Sequence, residues 1–190
     1  MIDSMEAMKI ISQHRGEAIV VACMTSKDEW HHASTQHKLD FLYIGSMGKA
    51  SSVGLGLALA KPKRKIIVID ADGSLLMNLG SLVTIANMAP ANLIHFVIEN
   101  GIYRITGGQP IPNAGKLSFS GVAKGAGYRQ VYDFEEAASL KDKLSAVMMQ
   151  PGPTFICVKS PPVSESSPYS GPRINSRTVR ESRATLSALK

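Results

Sequence analysis

The sequence predicts an α/β domain, doubly wound, with a mostly parallel sheet and helices on both faces. Short β-branched runs alternate with longer helical segments along the whole chain. Those runs are continuously apolar rather than alternating, so both faces of each strand should be covered. The 190 residues, 44% of them hydrophobic, suit one domain with one good core.

The elements follow in order. Residues 4–14 carry Met5, Met8, Ile10 and Ile11 at helical spacing, and Arg15-Gly16 breaks the pattern. Residues 18–23 read as a buried strand. Residues 24–40 are polar and contain histidines, which predicts a loop with a short helix. Residues 41–44 form a second strand ending at Gly45. Residues 48–60 are small and apolar, and their three glycines suit close packing against a neighbouring backbone better than an exposed helix. Residues 65–70 are a strand, and Ala71-Asp72-Gly73-Ser74 turns the chain. Residues 75–88 read as one helix, with Leu75, Leu76, Leu79, Leu82, Val83 and Ala86 on its apolar side. A strand over 92–99 leads into a glycine-containing loop over 101–116. A short helix (119–125), a short strand (128–131), a helix (134–149), a Pro-Gly-Pro turn and a last strand (154–159) complete the core. From Pro161 the chain is rich in Ser, Pro and Arg, which predicts a domain over 1–160 and an extended C-terminal arm over 161–190.

Composition excludes several function classes. The longest apolar runs are far too short to span a bilayer. Asp3 and Glu6 stand where a signal peptide would be basic, so the cytoplasm is expected. Cys23 and Cys157 sit inside apolar strands and read as small buried hydrophobes; two cysteines cannot by themselves ligate an iron–sulfur cluster. The formal charge is +6. Part of the excess lies in the turn Lys61-Pro-Lys-Arg-Lys65, and part in the tail with Arg173, Arg177, Arg180, Arg183 and Lys190. That distribution favours anionic ligands or an acidic partner surface over nucleic acid. His31, His32 and His37 read as members of a solvated loop; their spacing makes no metal site.

The chemistry concentrates after the strand 65–70. A buried strand ending in Asp70 and Asp72, followed by Gly73, Ser74 and a helix, puts a carboxylate beside helix-terminal N–H groups that favour phosphate. A hard divalent cation reconciles the two anions, and Mg²⁺ prefers such oxygen ligands. The plainer alternative is that Asp72 and Ser74 cap the helix. One helix later the next strand ends in Glu99-Asn100-Gly101, on the same edge of a parallel sheet, where Asn100 offers a neutral oxygen. The alternative for Asn100 is an ordinary turn residue before glycine.

Asp72-Gly73-Ser74, a helix, a strand and then Asn100 resemble the motif of thiamine-diphosphate-dependent enzymes: Gly-Asp-Gly, a spacer of under thirty residues, and Asn-Asn. The resemblance implies the thiamin diphosphate-binding fold, with Asp72 and Asn100 ligating Mg²⁺ by side chains and Ile102 by its carbonyl. It implies that Gly73 and Ser74 contact the diphosphate, with Thr25 and Ser26 offering hydroxyls. Gly45, Ser46 and Met47 would receive the aminopyrimidine, Gly45 through its carbonyl and Met47 as a wedge beneath the cofactor. Ala71 and Glu99 depart from the motif, and Ala71 raises the question of a positive φ, which alanine resists. Residues 41–52 and Thr106-Gly-Gly-Gln109 are similar to sulfopyruvate and phosphonopyruvate decarboxylases, over roughly residues 18–160. The loop 106–109 would cover the cofactor or order on substrate binding.

The glutamate that activates the pyrimidine in this family belongs to a separate pyrimidine-binding domain, for which this sequence has no room. The resemblance therefore implies a diphosphate-binding subunit of a heteromeric, Mg²⁺-dependent 2-oxoacid decarboxylase that needs a pyrimidine-binding partner subunit. An acetolactate-synthase-like carboligase, a 2-oxoacid oxidoreductase subunit and a non-catalytic regulatory subunit are the alternatives. Lys49, Arg104 and the tail arginines are candidates for an acidic group on the substrate, Arg104 first because it follows the metal-binding turn.

Overall fold

Asp3 sets the first element. Its side chain accepts from the Glu6 backbone N–H at 3.1 Å and caps α1 (Ser4–His14). The computed structural model describes residues 1–162 and Ser187; of Tyr43 and Ile44 it describes the backbone. The remainder of the expected C-terminal arm, with its arginines, lies outside the described residues. After α1 the order is β1 (Ile19–Cys23), α2 (Met24–Ala33), β2 (Asp40–Ile44), α3 (Ala50–Ala60), β3 (Ile66–Ala71), α4 (Asp72–Leu76), α5 (Ser81–Met88) and β4 (Leu93–Glu99). A small hairpin of β5 (Ile102–Tyr103) and β6 (Gln109–Pro110) follows, then α6 (Phe119–Ala126), β7 (Gln130–Phe134), α7 (Ala137–Met149) and β8 (Thr154–Lys159).

Six strands form one sheet in the order β2-β1-β3-β4-β8-β7, every pair parallel. Successive strand residues feed opposite faces. Val20, Ile67, Ile94 and Phe96 pack with α1, α2 and α7 through Met8, Ile11, Trp30 and Leu144. Val21, Ile66, Val68 and Val97 pack with α3 to α6 through Ala58, Leu75, Ile85 and Phe119. Each such aliphatic or aromatic side chain contributes roughly 1.5–3 kcal/mol by burial, so the two layers, not local propensity, hold the helices. The chain leaves β1 toward β2 on one side and returns to β3 on the other. The carboxyl ends of β1 and β3 therefore flank the point where strand order reverses, the usual ligand crevice of such sheets.

Several elements differ from the sequence expectation. Residues 24–33 are a full helix rather than part of a loop. Polar residues there hide the signal, because Ser26, Lys27, Asp28 and Glu29 are buried along with Trp30. Residues 75–88 are two helices, broken over 77–80, where the Asn78 side chain donates to the Gly48 carbonyl at 2.9 Å and to Ser52 Oγ at 3.2 Å. Val83, expected on the apolar side, is 60% exposed. The strand expected at 128–131 runs over Gln130–Phe134, and the helix expected from Phe134 begins at Ala137. Gly127, left-handed at φ 101°, ends α6, and Tyr128 is buried against Phe155 rather than paired in a strand. Arg15 does more than end α1: it is buried and donates to Asp40 at 2.6 Å and to the Ala18 carbonyl at 2.7 Å, its guanidinium lying over the Trp30 ring. Of the glycines in α3, Gly54 lies so close to the Val68 side chain that no Cβ fits, while Gly56 faces open space. Among the described residues, no helix is long and apolar enough to cross a membrane.

His95 lies fully buried on β4, with Nδ1 3.2 Å from the Tyr128 hydroxyl and Nε2 unpartnered. Burial lowers its pKa to about 3. Between pH 6.5 and 3 the unfolded chain therefore takes up a proton that the folded chain refuses, and stability falls as pH drops, by up to about 1.4 kcal/mol per pH unit. Urea melts at stepped pH values should give a shallower fall over that window for His95→Gln than for the wild type.

Candidate functional site

The register of two strands builds the site. Parallel pairing puts Ala71 opposite Ile98, so Asp72, the residue after β3, and Asn100, just after β4, leave the sheet side by side. Gly101 follows at φ 76°, a left-handed turn that glycine adopts without strain. The Gly101 N–H donates to Asp72 Oδ2 at 2.6 Å, the Gly73 N–H donates to Asp72 Oδ1 at 2.7 Å, and Asn100 Oδ1 accepts from the Ile102 N–H at 3.0 Å. The Asp72 and Asn100 side chains are thus held on one turn, with Ile102 at its far side.

Asp72 is fully buried. Burial pushes its carboxyl up to about 6, against the downward pull of the backbone N–H groups of Gly101, Gly73 and Asn100. The capping alternative for the helix is only partly met: Ala71 is the N-cap of α4 and makes no side-chain cap, while Asp72 bonds the next N–H. Ala71 is extended, at φ −113° and ψ 156°, so alanine is unstrained where the motif has glycine. Glu99 turns away from the turn toward β8, where it accepts from Lys159 Nζ at 2.6 Å and from Cys157 Sγ at 3.0 Å. Both cysteines are free, buried thiols whose pKa values burial raises.

One cleft at this edge is lined by Thr25, Ser26, Met47, Gly73, Ser74 and Asn100. Six residues expected from four separate stretches of sequence are therefore brought together. Thr25 and Ser26 start α2 at the end of β1, next to Met24, a non-glycine residue held at φ 53°. Ser74 ties the β2–α3 turn down: its Oγ accepts from the Gly48 N–H at 3.0 Å and lies 3.3 Å from Cys23 Sγ. With the Asn78 bond to the same turn, this fixes Met47 on the cleft wall. Gly48 is needed there, at φ 74° with a would-be Cβ 3.1 Å from Asn78. Gly45 and Ser46 are exposed beside the cleft and do not line it, nor does Ile102. Lys49 is exposed at the N-cap of α3, outside the cleft.

The β5–β6 hairpin closes one side. A Cβ on Gly73 would lie 2.6 Å from the Tyr103 ring, so glycine is required by the approach of the hairpin. Thr106 and Gln109 lock its tip: Thr106 Oγ1 donates to Gln109 Oε1 at 3.0 Å and Gln109 Nε2 donates to the Thr106 carbonyl at 2.8 Å, around left-handed Gly107 and Gly108. Arg104 donates to the buried Glu29 at 2.6 Å, and Glu29 also accepts from Ser4 Oγ at 2.8 Å. Tyr103, Asn78 and Glu29 are parts of the site that sequence reasoning misses. Asn78 leaves one signal, a polar residue interrupting an apolar helical face. The histidines form a separate group: His31 stacks on His37 at 4.5 Å and meets His32 edge-on at 5.7 Å, on α2 and the turn after it rather than in a loop. Among the described residues, no three or more His, Cys, Asp or Glu side chains are placed to hold a metal ion. A site of one carboxylate with neutral oxygens is a different donor set, and the oxygens of Asp72 and Asn100 are of the hard kind that Mg²⁺ takes.

The chain is similar to several known proteins. The chain is 35% identical over 148 residues to a phosphonopyruvate decarboxylase of Streptomyces viridochromogenes, spanning 78% of this chain and 37% of that enzyme. It is 34% identical over 158 residues to the sulfopyruvate decarboxylase subunit beta of Methanothermobacter thermautotrophicus, spanning 80% of this chain and 84% of that subunit. A solved structure, the thiamine diphosphate-dependent 4-hydroxybenzoylformate decarboxylase of Rhodococcus jostii RHA1, shares the fold with a TM-score of 0.69 at 18% identity, over 84% of this chain and 33% of that one. Residues 18–158 match the family model "Thiamine pyrophosphate enzyme, C-terminal TPP binding domain", and the chain belongs to that family.

Proposed function

We propose that this chain is the diphosphate-binding subunit of a heteromeric 2-oxoacid decarboxylase dependent on thiamine diphosphate and Mg²⁺, of the sulfopyruvate or phosphonopyruvate type, working in the cytoplasm. One observation carries the reading: Asp72 and Asn100 converge on the Gly101 turn, at the edge of a cleft lined by Thr25, Ser26, Met47, Gly73 and Ser74. The side chains of Asp72 and Asn100 and the Ile102 carbonyl would hold the Mg²⁺. Gly73, Ser74, Thr25 and Ser26 would hold the diphosphate, with Gly45, Ser46 and Met47 against the pyrimidine. Bound there, the cofactor would supply the electron sink that lets a 2-oxoacid lose CO₂.

What this chain's residues do is anchor and orient. The buried Asp72 carboxylate is kept in one rotamer by two N–H bonds, so little reorganisation is needed when a cation arrives. Ser74 and Asn78 hold the turn that carries Met47. The cleft's own acid, Glu29, is committed through Oε1 to Ser4 and Arg104. A pyrimidine-binding partner supplies the glutamate that activates the pyrimidine, which fits the exposure of Gly45 and Ser46 beside the cleft. The likeness to a subunit named beta, matched over most of its length, supports the same division of labour.

Calorimetry of the chain mixed with the product of its neighbouring reading frame should detect thiamine diphosphate binding with Mg²⁺ and none with a chelator present. A wild-type mixture that binds no cofactor under either condition contradicts the reading. Asp72→Asn should abolish the metal-dependent binding. The same change removes the buried charge but turns an amide donor toward one of the two N–H groups that Asp72 accepts, so Tm should fall modestly. Ala71→Gly should leave cofactor affinity unchanged and lower stability by roughly 0.5–1 kcal/mol, since Ala71 is already in an extended conformation.

A further inference from the structure

Arg104 sits two residues beyond Ile102, on the hairpin that closes the cleft. Only two charged side chains line that cleft among the described residues, Glu29 and Arg104. Their ion pair is 2.6 Å long, and the two side chains are 4% and 14% exposed. Glu29 is fixed from behind by Ser4 Oγ at 2.8 Å. The pair engages Arg104 through Nη1, the one side-chain hydrogen bond of Arg104 among the described residues. Nε and Nη2 keep their N–H groups. A guanidinium is a planar fork with five donors, and its unused edge matches two oxygens of an acid group. The hairpin is stiff enough to present that edge: Thr106 and Gln109 lock its tip, and the Tyr103 ring is seated over Gly73.

The Glu29–Arg104 pair is formally neutral, so recognition of an acid group rests on the open N–H donors of the fork rather than on net charge. A second, tetrahedral acid group offers the two oxygens that this fork takes; a substrate whose one carboxylate is at the reacting end has none to spare. We propose, resting on the function proposed above, that Arg104 is the specificity-determining residue of this site. It receives the distal sulfonate or phosphonate of a short dianionic 2-oxoacid, and Glu29 is the positioning residue that holds it.

The test uses the chain in complex with its pyrimidine-binding partner, loaded with Mg²⁺ and thiamine diphosphate. The probes are 3-sulfopropionate and 3-phosphonopropionate, which carry the distal acid and cannot react, with propionate as the monoanion control. Calorimetry should show at least one dianion binding more tightly than propionate, and the tighter of the two names the acid group. Arg104→Met should weaken that dianion on the order of tenfold to a hundredfold, the worth of a charged hydrogen bond. It should leave propionate and thiamine diphosphate affinities unchanged. Arg104→Lys, which restores charge without the fork, should recover part of the loss. Equal loss for dianion, propionate and cofactor would mean that Arg104 only straps the hairpin, and would overturn the proposal. Unchanged dianion affinity in Arg104→Met would overturn it too. A wild-type complex that never takes up the cofactor refutes the proposed function instead, so the two failures are distinguishable.

Discussion

Parallel pairing of β3 with β4 is the constraint from which the rest of the site follows. With Ala71 opposite Ile98, the first residues beyond each strand must leave the sheet together, and Asp72 and Asn100 become neighbours although they are far apart in sequence. A slip of one residue would send the alternating side chains Ile66 to Ile69 to the wrong layers, and both core clusters would be lost. The packing that stabilises the domain therefore also fixes the geometry of its polar edge. The hairpin after Asn100 and the turn after β2 are added to that edge by a few polar contacts, from Asp72 and Glu29 to the hairpin and from Ser74 and Asn78 to the turn.

The cost of this arrangement is concentrated at the carboxyl edge, where Asp70, Asp72, Glu29 and Glu99 are gathered. An unpaired buried charge costs several kcal/mol, so each needs an answer. Glu99 has Lys159, and Glu29 has Ser4 and Arg104. Asp70 accepts from the Ala71 N–H and from Cys23, and its other oxygen has no partner. Asp72 has backbone N–H groups alone. The two acids left without a cation sit beside the cleft, while the acid that departs from the family motif is neutralised. Glu99 therefore adds no free charge where a diphosphate would lie.

Much of the fold is legible in the sequence because buried parallel strands write continuous apolar runs, as β3 and β8 do. The polar edge is legible as residue types at spacing: Asp72, Gly73, Ser74 and Asn100. What is hidden has a physical reason in each case. Helix α2 is hidden because its buried face is largely polar and charged, with Glu29 meeting Ser4 and Arg104, which no hydrophobic period reports. The break between α4 and α5 depends on Asn78 reaching Gly48, a contact thirty residues away. Edge strand β7 exposes polar residues and loses the apolar signature. The partners of Glu29 and Arg104 are set by tertiary contact, and neither residue announces the other.

The most direct measurement is a crystal structure of the chain with its pyrimidine-binding partner, grown with thiamine diphosphate and Mg²⁺. The metal should lie about 2.1 Å from an Asp72 carboxylate oxygen, from Asn100 Oδ1 and from the Ile102 carbonyl, with the diphosphate against Gly73 and Ser74. A metal held by other residues of this chain, or a cofactor seated away from the Gly101 turn, would contradict that placement.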